Sequence, residues 1–131
     1  MIEILPAPSH VAAFKVRETL TADDYDRCIA EIEARLSEHR RITVFCDLVG
    51  MARMTPMAVA RDLRYAIGKL GQFHRFARGA IVTEREWLGT ITRLGGVFFP
   101  HTDLRTFAAG DAATGFAWAA EPPVDEPPVD K

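Results

Sequence analysis

Arg41–Leu63 reads RITVFCDLVGMARMTPMAVARDL, and the fold turns on how its two halves are read. Residues 41–48 are a near-continuous apolar run, as expected of a strand covered on both faces rather than wet on one. The Thr-Pro step at 55–56 then predicts a helix. Thr55 is a capping residue, and Pro56 in the first turn gives up an N–H that has no intrahelical partner there. Ala60, Leu63, Ile67 and Leu70 recur at helical spacing and are expected on its buried side, with Gly71 ending it. A strand, a short apolar connection and a helix make half of a crossover, and crossovers join parallel strands.

Outward from this stretch the same alternation continues. Upstream, IEIL and HVAAFKVR are separated by the turn PAPS and read as two strands. TADDYDRCIAEIEARLSEH reads as a helix, with Thr21 and Asp24 at capping-box spacing and acids in the first turn. Tyr25, Ile29, Ile32 and Leu36 form its apolar stripe, and Arg27–Glu31 and Glu31–Arg35 are i,i+4 pairs. Downstream, FARGAIVT is a buried strand, and TEREWLGTITRL a helix capped by Thr83 and Glu86, with Trp87 on its stripe. DLRTF and DAATGFAWAA complete the set as a last strand and a last helix.

The predicted order is ββαβαβαβα: one α/β sandwich, its five-stranded sheet mixed but mainly parallel and covered by about four helices. The first two strands, joined by a short turn, supply the antiparallel pair. The folded domain spans residues 1–120. Residues 121–131, EPPVDEPPVDK, carry four prolines and four acids and are expected to form a solvated tail outside the fold.

The composition, 48% hydrophobic and 26% charged, is that of a globular domain, and no apolar run is long enough for a membrane-spanning helix. MIEILPAPSH carries no secretory-type leader, and two cysteines cannot build a disulfide framework, so a cytoplasmic location is expected. Residues 51–100 carry 8 basic and 3 acidic side chains, against 6 and 9 in residues 1–50 and 2 and 6 in 101–131. The arginines of the middle segment are scattered, so they suit internal pairing with the acidic flanks better than a nucleic-acid surface.

No catalytic motif is present. His10, His39, His74 and His101 show no metal-ligand spacing, and neither Cys28 nor Cys46 falls in a C-x-x-C, so no metal and no cofactor is expected. Cys46 shares a strand face with Val44 and Leu48, and both cysteines read as small buried hydrophobes. The residues that stand out are Met51, Met54 and Met57, which with Thr55 and Arg61 mark the 49–57 junction as a candidate partner or ligand surface. Methionine is adaptable enough to serve there, and equally suited to filling a gap between sheet end and helix. Phe98 and Phe99 are a candidate apolar pocket or, alternatively, ordinary core.

LTADDYDR at 20–27, GAIVTEREWL at 79–88 and FAAGDAATGFAWA at 107–119, in that order and spacing, resemble the SpoIIAA-like proteins. These are relatives of the STAS domain of anti-sigma-factor antagonists and are also compared with CRAL-TRIO lipid-binding domains. The resemblance runs from about residue 2 to 120, with Asp24-Tyr25, Trp87, Phe107 and Trp118 as its distinctive elements. It implies a STAS-like sandwich and a non-enzymatic binding or regulatory module, working through protein-protein contacts or self-association at the 49–57 junction. The alternative that it implies is a carrier of a small apolar ligand or lipid. Two departures are plain. Glu18 stands where glycine is expected before the first helix, and MARMTPMA replaces the antagonists' phosphorylated Asp-Ser-Ser-Gly stretch, so their switch is not carried onto Thr55.

Overall fold

The computed structural model describes residues 1–83 and 102–122. Five strands form one sheet in the order β1-β2-β3-β4-β5: β1 Ile2–Ile4, β2 Val11–Leu20, β3 Ile42–Met54, β4 Phe76–Val82 and β5 Asp103–Phe107. β1 and β2 pair antiparallel, and every later pair is parallel. Three α-helices are described: α1 Ala22–Glu38, α2 Pro56–Gly68 and α3 Ala112–Ala120. The helix expected over 83–94 lies outside the described residues, as do Trp87, Phe98, Phe99 and His101. The mixed, mainly parallel α/β sandwich is as the sequence reading has it.

Each face of the sheet has its own core. On one, Ala12, Phe14, Val16 and Ile42 pack with Cys28, Ile32 and Leu36 of α1. On the other, Val11, Ala13, Phe45, Ala80 and Val82 pack under Ala119 of α3. α1 is started as expected: the Thr21 hydroxyl accepts the Asp24 N–H at 3.2 Å, and the Asp24 carboxylate accepts the Thr21 N–H at 3.0 Å. Arg35 pairs with Glu31, whereas Arg27 turns away and donates to the Ile2 carbonyl at 3.4 Å. Arg75 closes the other end of α1, donating to the carbonyls of Leu36 at 2.6 Å and His39 at 3.0 Å. These are carbonyls that a helix leaves unpaired, and a cation there also suits the dipole.

α3 forms where DAATGFAWAA predicts the last helix. Its buried positions are Gly115 and Ala119, so small residues one turn apart bring the helix close to the sheet. Phe116 meets Phe45 edge to face, with ring centroids 5.2 Å apart. Trp118 is half-buried at the rim, with the guanidinium carbons of Arg105 and Arg78 4.5 and 5.0 Å from its ring. An indole between two guanidiniums is held by cation–π attraction as well as by area. Glu121, read from sequence as the start of the tail, is tied in: His10 donates to its carbonyl at 3.2 Å, and its carboxylate lies 3.4 Å from Arg78.

β3 corrects the reading of the opening stretch. It does not end at Leu48 but runs on to Met54, so residues 49–54 are strand rather than loop. From Thr43 to Asp47 it pairs with both neighbours, and from Gly50 to Met54 with β2 alone. The β2–β3 register shifts twice on the way, between Lys15 and Arg17 and between Glu18 and Thr19. At this irregularity Glu18 adopts a positive φ of 57°. That is the left-handed region, where glycine is at ease and other residues are strained.

Candidate functional site

The extension of β3 redistributes the 49–57 set. Met51 is buried in the core on the α1 side at 5% exposure, and Met54 is half-buried against the same cluster. Neither serves as an exposed surface, because the strand that carries them is paired and covered. Thr55 is the N-cap of α2: its hydroxyl accepts the Ala58 N–H at 3.1 Å, and its own N–H donates to the Leu20 carbonyl at 3.0 Å. Pro56 follows at the start of the helix, as the sequence predicts. Met57 is exposed, and Arg61 forms an ion pair with Asp26 of α1.

α2 is turned in phase from its expected orientation. Ala60, Leu63 and Ile67 do share a side, but it is the outer one, and the side chain of Leu70 is not among those described. Exposure is 62% for Leu63, 59% for Ile67, 59% for Met57 and 51% for Val59. The side turned toward the molecule carries Ala58, Arg61, Tyr65 and Lys69 and is tied to α1 by polar bonds. The Tyr25 hydroxyl donates to Asp62, and Arg61 donates to Asp26. The Tyr65 hydroxyl donates to Glu33 at 2.6 Å, while Lys69 reaches the same carboxylate at 2.8 Å.

These bonds set the electrostatics between the helices. Partial burial works against ionisation of Glu33, yet hydrogen bonds from Lys69 and Tyr65 hold its carboxyl below the ordinary value. Burial, with the acceptor carboxylates beside them, pushes the hydroxyls of Tyr25 and Tyr65 well above the usual phenol range. Both phenols are therefore fixed donors. A surface cavity of about 460 Å³ between α1 and α2 is lined by Asp26, Ile29, Arg61, Arg64, Tyr65, Gly68 and Lys69. Four of these seven residues carry charge, more than the small number of polar groups usual in an acyl-chain site.

The cysteines are no alternative centre. Cys28 is buried and Cys46 half-buried, both free, and burial pushes each thiol up to about 12. A thiol so far from ionising is a poor nucleophile. Among the described residues, no three His, Cys, Asp or Glu side chains are grouped to hold a metal ion. No helix among them is long and apolar enough to cross a membrane.

Sequence reasoning missed Val59, Leu63 and Ile67 as surface. The available signal was charge: Asp26 and Glu33 on α1 stand opposite Arg61 and Lys69 on α2. That complementarity specifies which side of α2 faces inward, and an apolar stripe alone does not.

Among the described residues, a five-stranded mixed sheet with two crossover helices toward one face and a C-terminal helix on the other defines a STAS-like α/β domain. The chain belongs to the SpoIIAA-like family, whose pattern it matches over residues 11–120. Among solved structures it is similar to an uncharacterised protein of the DUF3478 family with a SpoIIAA-like fold from Shewanella loihica PV-4. The two share 23% identity at a TM-score of 0.66, over 91% of this chain and 92% of the other, a likeness of fold. No curated protein matches the chain.

Proposed function

We propose that the protein is a non-enzymatic binding or regulatory module that acts through protein contacts made by the outer side of α2. The observation that carries this reading is the exposure of Val59, Leu63 and Ile67, one turn apart on a helix whose polar side is already engaged, with Met57 exposed in its first turn. Single exposed apolar residues are ordinary, but a contiguous group on one element marks an interaction surface. Covering each such side chain is worth roughly 1.5–3 kcal/mol, enough for the group to dominate an interface.

Charge narrows the partner. Arg64, on α2 itself, is exposed and has no ion pair among the described residues. An amphipathic segment of another protein, with acids flanking its apolar face, complements this surface. A second copy would bring like charges together. Four of the seven residues lining the α1–α2 cavity carry charge, which favours a protein contact over an apolar ligand at that place.

A photo-crosslinking residue at position 63, installed in the full chain in its own cells, tests the reading. The expected product is a heterologous adduct of defined mass. Its purified partner should bind the wild type, bind Leu63→Asp at least about tenfold more weakly, and lose affinity to Arg64→Glu. A self-adduct, or sedimentation with anionic vesicles in place of any protein adduct, would overturn it.

A further inference from the structure

On the face of the sheet opposite α1, helix α3 covers Val11, Ala13 and Phe45, and Lys15, Arg17 and Asp47 follow on that face toward the C-terminal ends of β2 and β3. There lies a cavity of about 660 Å³, lined among others by Lys15, Arg17, Glu18, Asp47, Val49 and Ala109. We propose that this cavity binds a small zwitterion, a molecule carrying a phosphate or carboxylate a short linker away from an ammonium group. The site is separate from the outer side of α2 and does not rest on the function proposed for it.

Three observations carry the assignment. The first is place: in open α/β sheets ligands bind beyond the carboxyl ends of the parallel strands, and a cavity of this size suits a small molecule. The second is unspent charge. Lys15 and Asp47 are register partners on neighbouring strands, and Lys15 is half-buried. They form no ion pair with each other or with any other described residue. Asp47 accepts the Val49 N–H at 3.1 Å, which occupies one carboxylate oxygen. Arg17, two residues along β2 from Lys15, has a loose, exposed contact of 3.6 Å with Glu3. Lys15 and Arg17 alternate onto the same face, while Asp47 stands one strand away, roughly 5 Å across. An anionic group held by the two cations therefore places an attached ammonium over the carboxylate.

The third observation is Glu18. It lines the cavity with its backbone at φ 57°, a conformation that glycine would adopt at less cost. Glu18 brings a second carboxylate to the lining beside Asp47, against the cations of Lys15 and Arg17 and the Met1 ammonium, which is itself paired with Asp24 at 3.0 Å.

Amide-resolved NMR titration of the full chain with phosphoethanolamine and with γ-aminobutyrate tests the proposal. Inorganic phosphate and ethylamine serve as the two half-ligands. At least one zwitterion should shift the amides of Arg17, Val49 and Ala109 at millimolar concentration, and each half-ligand should bind about tenfold more weakly or worse. Lys15→Met and Asp47→Asn should each lose about tenfold in affinity with an unchanged melting temperature. Glu18→Gly should bind more weakly while melting higher, which separates the site from the fold. Shifts absent with both zwitterions, a half-ligand binding as tightly as its zwitterion, or full affinity in any of the three variants would overturn the proposal.

Discussion

Glu18 shows how much one dihedral angle can hold. The left-handed conformation costs a residue with a Cβ about 1–2 kcal/mol, and glycine would avoid that cost. Glycine also brings roughly 0.5–1 kcal/mol of extra chain entropy to the unfolded state. The strain is the larger of the two, so Glu18→Gly should raise stability by about 0.5–1 kcal/mol, read as the midpoint of denaturant unfolding. Glu18→Ala keeps the Cβ and should show no such gain. The position was legible in the sequence as a departure, since glycine was expected there. The physical content of that departure, a positive φ at a register shift between two parallel strands, needed the backbone.

At the scale of the element, α3 and α2 fail the simplest reading of apolar pattern in different ways. α3 buries its small residues: a Cβ built on Gly115 would lie 2.9 Å from Cδ1 of Phe107. That ring is fixed beside Trp118, with centroids 6.0 Å apart, and cannot swing away as a flexible chain end would. Alanine gains about 1 kcal/mol of helix propensity at an interior position, but overpacking a held ring costs about 1–3 kcal/mol. Gly115→Ala should therefore destabilise by about 1 kcal/mol in equilibrium unfolding, where an open helix position would gain. α2 keeps the expected 3.6-residue period, its Thr55 cap and its Pro56 start, and inverts the phase. Period and cap are local and could be read from residues 55–67. Phase is decided by what stands opposite, here the carboxylates of Asp26 and Glu33 on a different helix. The strand order was legible because parallel strands require crossovers. The continuation of β3 to Met54 was not, because Gly50 and the methionines are as compatible with a connection as with a strand paired on one side.

Across the whole molecule, polar bonds between α1 and α2 make the seating of α2 sensitive to acid. The folded Glu33 carboxyl ionises more readily than its unfolded counterpart, whose ordinary value is 4.5. Its contribution is thus complete above about that pH and fades as the pH falls through the lower folded value. Amide exchange in α2 should accelerate in that acid window before the sheet opens, and Glu33→Gln should show fast exchange already at neutral pH. Four of the eight basic residues of the middle segment are engaged internally: Arg61, Lys69, Arg75 and Arg78 are spent on α1, on its C-terminal carbonyls and on the end of α3. What this leaves outside is the apolar side of α2, and the account stands or falls on that side being surface. The most direct measurement is the equilibrium stability of the Leu63→Gln, Ile67→Gln double variant. Exposed positions tolerate such changes within about 0.5 kcal/mol each, so the account predicts a total loss below about 1 kcal/mol together with loss of the crosslinked partner. A loss of about 4 kcal/mol or more, the cost of polar groups forced into a core, would show that these residues are packed inside and would contradict it.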